Sequence, residues 1–147
     1  MCLLTKQYKQ KKADRDITVF KIVVFRDSQT FTPYTGTPIP YELLNGQKPF
    51  EANGRTEKCP DFYGYSIEGG NIHTYAIAAD AWQLTHYFPK EWGQPAVYEC
   101  IIPKGTKYYY GCTYGKTPSY ASKQIRFVKR LQNPNAPKPI QTELNLC

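Results

Sequence analysis

Four stretches of the chain have the residue pattern of β-strands. Residues 17–25 read ITVFKIVVF, are rich in Val and Ile and are largely apolar on both faces, which predicts a central strand. Residues 96–102 and 107–110 predict two strands joined by a turn, either as a hairpin or as a corner between two sheets. Residues 124–131 alternate between two faces and predict the last strand of the fold, with Arg126 and Arg130 on the same side.

One main helix is predicted at about residues 75–88. Apolar residues recur there at helical spacing, at Ile77, Ala81, Leu84 and Phe88. Several alanines favour this helix, and Pro89 cannot continue it. Segments 30–41 and 111–119 are rich in proline or glycine and predict long surface loops.

These elements predict one α+β domain, in which a mainly antiparallel, twisted sheet of about five or six strands carries the helix. The domain is predicted to span residues 17–131. Residues 1–16 are basic with little apolar content after Leu4, which predicts a flexible arm. Residues 132–147 contain three prolines and few core-forming side chains, which predicts an extended or disordered tail.

The positive charge of the chain is concentrated late in the sequence. The chain has 147 residues and a formal net charge of +7, and residues 97–131 hold seven of its nineteen basic residues but one of its twelve acidic residues. Five tyrosines lie among these bases, so flat rings and hydroxyl donors neighbour cations. This combination predicts a ligand that bears phosphates or bases.

Other patterns limit the class of protein. No apolar run reaches the roughly 18 residues of a membrane span, and the first residues are too few for a secretory segment. We therefore expect a soluble intracellular protein with no membrane partner. The five cysteines are scattered and lack the spacing of a zinc or redox pair, so no metal and no cofactor are predicted.

The candidate site is a basic, tyrosine-rich surface in the last third of the chain. Its arginines would clamp phosphates by charge-assisted hydrogen bonds, its lysines would add less directional charge, and a tyrosine would stack on a base. No catalytic residue is assigned. The predicted ligand-binding residues are Arg126, Arg130, Lys104, Lys107, Lys123, Tyr108, Tyr110, Tyr120 and His73.

Several motifs resemble a family of small uncharacterised proteins from gut Bacteroidetes and from their phages and prophages. The motifs are the Met-Cys-Leu start, the Asp-Ile-Thr-Val-Phe-Lys strand followed by Thr32-Pro33-Tyr34, Gly70 to Tyr75, Glu99 to Tyr109, and Tyr120 to Lys123. They spread over residues 1–131. The resemblance implies a mobile genetic element in a bacterial cytoplasm and carries over no catalytic residue.

In that setting the expected function is non-catalytic binding of a phosphate-bearing ligand, such as a nucleotide or a cyclic nucleotide immune signal, which the protein would sequester as counter-defence. Two alternatives use the same surface to bind nucleic acid or an acidic host protein. A third is a degenerate enzyme similar to ADP-ribosyltransferases, suggested by a basic residue on the first strand, His73-Thr74 and a late Ser-Lys-Gln. Residues 120–128 read YASKQIRFV and lack the usual catalytic glutamate of those enzymes.

Overall fold

The computed structural model describes residues 3–5, 9–61, 64–113 and 116–134. These residues form twelve strands, two α-helices and one 3₁₀ helix (Lys90–Trp92). The strands are β1 (Leu3–Thr5), β2 (Lys11–Lys12), β3 (Ile17–Arg26), β4 (Gln29–Phe31), β5 (Phe50–Glu51), β6 (Lys58–Asp61), β7 (Gly64–Ile67), β8 (Ile72–Tyr75), β9 (Gln94–Ile102), β10 (Lys107–Thr113), β11 (Thr117–Ser122) and β12 (Gln124–Arg130). The helices are α1 (Tyr41–Leu44) and α2 (Ala78–Thr85).

The predicted α+β class is wrong, because the described part of the chain is essentially a β-rich single sheet. Strands hold 49% of it and helices 12%. The predicted helix at 75–88 is shortened to α2, since Tyr75 pairs with Ser119 on one side and with Phe20 on the other as part of β8. Backbone pairing with two neighbouring strands therefore overrides the helical spacing at the start of that segment.

All strand pairs are antiparallel, and the main sheet runs β5-β12-β9-β3-β8-β11-β10-β1-β7-β6, with β2 beside β10 and β4 beside β3. The strands β3 and β9 form its centre and are registered without interruption from Ile17↔Ile102 to Phe25↔Gln94. Val and Ile fill β3, and such β-branched side chains pack well on a pleated surface. The long central pair therefore anchors the fold.

Hydrophobic clusters cover both faces of the central strands. One face holds the buried Val19, Val23, Cys100 and Phe127 in a single cluster. The other face packs against α2, through a cluster made of Ile22, Tyr75, Ala81, Trp82 and Val97. Alternate residues of β3 thus serve different clusters, as expected for a strand that is buried on both sides.

The junction between β3 and β8 is short. Phe20↔Tyr75 is the one residue pair in register between them in the described chain, and the ladder does not continue to Lys21 and Thr74. The two strands therefore separate beside Lys21, and this separation positions the site described below.

Two short strands lie within residues 1–16, the segment predicted as a flexible arm, in the part of it that the structure describes. Leu3 is fully buried, and β1 lies between β10 and β7 in the sheet. Residues 11–12 form β2 against β10. Apolar side chains at the start of the chain therefore complete the sheet. The predicted tail at 132–147 lies outside the described residues from residue 135 onward. No described helix has the length and apolar character needed to cross a bilayer.

Candidate functional site

A cavity of about 280 Å³ opens where β3 and β8 separate. Lys21 of β3 lines it together with three chain segments, residues 32–37, 50–53 and 68–73. The first two segments are loop and short-strand residues, and the third is the turn that leads into β8. The cavity therefore lies between the centre of the sheet and three connecting segments of the chain.

Lys21 is the buried cation of this cavity. Its side chain is 5% exposed, and burial lowers its pKa from 10.5 to about 8. The neighbouring Cys100 is the second influence, but burial raises the pKa of that thiol far above its ordinary value, so the thiol stays neutral. No carboxylate among the described residues raises the pKa of Lys21. Within the part of the chain that the structure describes, the ammonium group is therefore buried without an anionic partner, which is costly for a charged group.

His73 lines the cavity as a neutral imidazole. Burial first, and then the charge of Lys21, lower its pKa to about 4. Its Nε2 lies 3.3 Å from the carbonyl oxygen of Glu68, so this nitrogen carries the proton and donates to that oxygen. Nδ1 is then an acceptor, and it is buried with no hydrogen-bond partner among the residues that the structure describes.

Asn71 supplies a second acceptor that lacks a partner. Its amide nitrogen donates to Thr56 Oγ1 at 3.1 Å and to the carbonyl oxygen of Gly69 at 3.3 Å. These two bonds fix the orientation of the side-chain amide. The amide oxygen Oδ1 is buried and accepts no hydrogen bond from the described residues. Asn71 immediately precedes β8, and both it and His73 line the cavity.

The turn before β8 requires a glycine at position 70. Gly70 has a φ of +75°, and a Cβ added to it would collide with the carbonyl carbon and oxygen of Arg55. Lys123 reaches the same turn from β11–β12, and its Nζ donates to the carbonyl oxygen of Gly70 at 2.6 Å. The turn is therefore held closely between two other parts of the chain.

The loop at 32–37 forms another wall. Thr32 Oγ1 bonds Thr35 Oγ1 at 2.7 Å and accepts from the backbone N–H of Thr37 at 3.0 Å. Tyr34 adopts a φ of +66°, which is uncommon for a residue with a side chain. Its ring packs edge-on against Phe88 and Trp92, with centroids 5.6 and 5.0 Å away. The packing of the Tyr34 ring against these two aromatic side chains thus stabilises a loop whose backbone is strained at Tyr34.

Two carboxylates stand at the exposed side of the cavity. Glu51 and Glu68 line it, and both residues are exposed. Glu68 Oε2 accepts a long contact from the Cys59 thiol at 3.8 Å. The cavity therefore has one cation in its interior and acceptor oxygens towards solvent.

Of the nine predicted ligand-binding residues, His73 lines this cavity and Lys123 touches its wall through Gly70. The predicted tyrosines lie elsewhere but converge with one another, because Tyr110 and Tyr108 pack against Tyr120 with centroids 4.9 and 5.8 Å apart. Tyr108 and Tyr120 line a cleft of about 410 Å³ together with Asp14, Arg15 and Asp16, and Tyr110 does not line it. Two carboxylates beside one guanidinium make this cleft less suited to a phosphate than the sequence suggests.

The two predicted arginines do not form a clamp. An irregularity between Phe127 and Lys129 shifts the register of β12, so Arg126 lies opposite Ile101 and Arg130 opposite Tyr98. Ile101 and Tyr98 are three residues apart on β9, so the two arginines occupy opposite faces of the sheet. Both are exposed.

Each arginine has its own local partner. Arg126 Nη1 donates to the carbonyl oxygen of Gly46 at 3.0 Å, and the Arg130 guanidinium lies 4.7 Å from the centre of the Phe25 ring. Lys104 and Lys107 are exposed on the turn and strand that follow β9. The predicted cations are thus distributed over several surfaces.

Sequence reasoning did not assign Lys21 and Asn71 to the site. For Lys21 a signal existed, since it is the one charged residue in ITVFKIVVF and both faces of that strand are apolar. For Asn71 the local pattern indicated an ordinary turn, and its role arises from contacts with Thr56 and Gly69.

Among the residues that the structure describes, no cluster of three or more His, Cys, Asp and Glu side chains could hold a metal ion. The cavity is therefore characterised by its amine, amide, imidazole and carboxylate groups. No family model, curated protein or solved structure matches this chain.

Proposed function

We propose that the protein is a non-catalytic binding protein, and that it holds the phosphate of a small nucleotide-like ligand at Lys21. The observation that carries this proposal is a buried ammonium group on the wall of a cavity, which has no anionic partner among the described residues. A bound phosphate would supply the missing negative charge in a region of low dielectric, where the attraction between the two charges is strong.

The residues around Lys21 support binding rather than a reaction. His73 is neutral at physiological pH with a pKa of about 4, which is poorly matched to general acid-base catalysis near pH 7. The Cys100 thiol is buried, and burial raises its pKa, so it is a poor nucleophile. Sequestration of a nucleotide, the role expected from the basic, tyrosine-rich sequence in a phage or prophage setting, needs affinity and no chemical step.

The size of the cavity favours a small ligand over a nucleic acid. Small-molecule sites usually have volumes of about 300–1,000 Å³, and this cavity of about 280 Å³ is close to the lower limit. That volume suits a sugar phosphate or a single nucleotide. A polynucleotide would instead require cations arrayed along one surface, whereas Arg126 and Arg130 lie on opposite faces of the sheet.

The test is calorimetric titration of AMP and of a short single-stranded oligonucleotide into the wild type and the variant Lys21→Met. We expect saturable binding of AMP with one site, and a loss of at least about tenfold in affinity in the variant. The matched control is the double variant Arg126→Ala with Arg130→Ala, which removes two exposed cations and should leave AMP affinity within about twofold.

Salt separates the two kinds of ligand in the same experiment. A ligand that neutralises one phosphate should show a log–log slope near about −1, whereas an oligonucleotide that contacts about five phosphates should show a slope several times steeper. Loss of binding in the double arginine variant, with Lys21→Met unaffected, would place the site on the predicted C-terminal surface instead and overturn this proposal.

A further inference from the structure

The cavity has more hydrogen-bond acceptors than donors among the groups that line it. Lys21 is its buried donor, whereas Asn71 Oδ1 and His73 Nδ1 are buried acceptors without partners among the described residues. The carboxylate of Glu51 adds a further acceptor at the exposed side. A ligand that matches this set carries one anion towards Lys21 and several O–H or N–H donors along the rest of its length.

The neighbours of Asn71 and His73 show that Oδ1 and Nδ1 both act as hydrogen-bond acceptors. The hydrogen bonds of the Asn71 amide nitrogen identify Oδ1 as the free atom, and the contact of His73 Nε2 with a carbonyl oxygen leaves Nδ1 without a proton. Neither atom can therefore donate. Each is an acceptor that loses hydration on folding and gains nothing from the protein, which is unfavourable unless a ligand or water supplies a donor.

A phosphate alone leaves these acceptors unsatisfied, since a phosphate dianion has only acceptor oxygens. A ribose attached to the phosphate adds vicinal hydroxyl groups, and a carboxylate is the group that dinucleotide-binding proteins use to accept from ribose hydroxyls. Glu51 lines the cavity and is exposed, and its strand β5 pairs with β12 at the edge of the sheet, so we assign this role to its carboxylate.

We infer that the ligand is a ribose phosphate, and that its sugar hydroxyls are bound by the acceptor side of the cavity formed by Asn71, His73 and Glu51. This inference rests on the proposed function, because it takes the phosphate to lie at Lys21. It narrows the ligand class from any small phosphorylated compound to one whose phosphate is joined to a polyhydroxylated sugar.

The test compares AMP with 2′,3′-dideoxy-AMP, which differ only in the two ribose hydroxyls, by calorimetric titration into the wild type. We expect the dideoxy compound to bind at least about tenfold more weakly, since two acceptors would lose their donors. In Glu51→Gln the affinity for AMP should fall while that for the dideoxy compound stays the same, so the ratio between the two compounds should shrink by about threefold or more.

The outcomes distinguish this inference from the proposed function. If both compounds bind equally well and both depend on Lys21, the proposed phosphate site stands and the ribose assignment is overturned. If neither compound binds to the wild type, the proposed function fails and the inference fails with it. Thermal unfolding of Glu51→Gln is the control for folding, and an unchanged melting temperature is expected because Glu51 is exposed.

Discussion

Lys21 is a charged residue in a position that a hydrophobic residue would fill at lower cost. Burial lowers its pKa from 10.5 to about 8, which corresponds to a cost of about 3 kcal/mol for keeping the ammonium form at neutral pH. A protein under no functional constraint gains stability by replacing such a residue. Lys21 lies on the wall of a cavity, so we attribute this cost in stability to the binding of a ligand there.

The first prediction is that Lys21→Met raises the unfolding free energy of the unliganded protein and weakens its binding of AMP. Lys21→Met keeps an unbranched side chain of similar length and removes the charge, so the unliganded protein should gain about 1–3 kcal/mol in unfolding free energy at pH 7. The same variant should lose AMP binding. Urea unfolding monitored by fluorescence measures the first effect, and calorimetric titration measures the second.

Lys104→Met is the matched control, because Lys104 is exposed on a turn and its side chain has no role in the cavity. Its unfolding free energy should change by less than about 0.5 kcal/mol. A clear loss of stability in Lys21→Met would mean that the ammonium group is needed by the fold itself, and the argument for a ligand anion would fail.

The second prediction concerns pH. The folded protein binds the Lys21 proton with a pKa of about 8 and the unfolded chain with one near 10.5, so between these values the unfolded state holds more protons. The titration of Lys21 should therefore make the unfolding free energy of the unliganded wild type rise as the pH increases from about 8 to about 10.5. AMP affinity should fall over the lower part of that range, since the amine becomes neutral.

Titrations of AMP at pH 7 and pH 9.5 check the second prediction. The phosphate stays doubly charged over that interval, so a change in affinity reports on the protein. Binding that is equally tight at both pH values would contradict a role for the Lys21 charge, and Lys21→Met should itself show no pH dependence.

At the scale of elements, the turn that leads into β8 has little room for change. The third prediction is that Gly70→Ala destabilises the protein by about 2–4 kcal/mol and weakens AMP binding, because the new methyl group meets the backbone of Arg55 at a positive φ. Thermal unfolding and calorimetric titration measure the two effects.

Gly54→Ala is the control for the turn. Gly54 has a similar φ of +82°, but an added Cβ would find no atom within 4 Å. The substitution Gly54→Ala should therefore lower the unfolding free energy only by the backbone strain, about 1 kcal/mol. Equal destabilisation in the two variants would show that the close approach of Gly70 to Arg55 contributes nothing.

The sequence predicted the elements whose pattern is local. The strand expected at 17–25 is observed as β3, that at 96–102 lies within β9, and that at 124–131 matches β12 to within one residue. β11 was missed, because TPSYAS contains proline and small polar residues and forms a strand through its pairing with β10 and β8. The irregularity in β12 was also missed, since regular alternation of residues gives no sign of a register shift.

At the scale of the whole molecule, the site combines residues from four separate stretches of the chain. Lys21, the loop at 32–37, the segment at 50–53 and the turn before β8 meet only because the sheet brings them together. A cluster of charges in the sequence is visible without a structure, whereas a single lysine opposite a distant turn is not. The sequence therefore predicted a binding surface at the basic C-terminal residues and did not predict a site at Lys21.

The fourth prediction concerns the stability of different regions. Amide hydrogens of β3 and β9 should exchange most slowly, because the two strands pair over nine residue positions and are covered on both faces. Those of β6 should exchange faster, since β6 is the last strand of the sheet and most of its residues are exposed. Hydrogen exchange followed by mass spectrometry measures both, and uniform protection would contradict the prediction.

The single pair that joins β3 to β8 has a mechanical consequence. It divides the sheet into two ladders, one that runs from β3 to β5 and another that runs from β8 to β6. Phe20 and Tyr75 form the one registered strand pair between the two ladders among the described residues. A ligand bound between Lys21 and His73 would contact both ladders and would add a second connection across the seam.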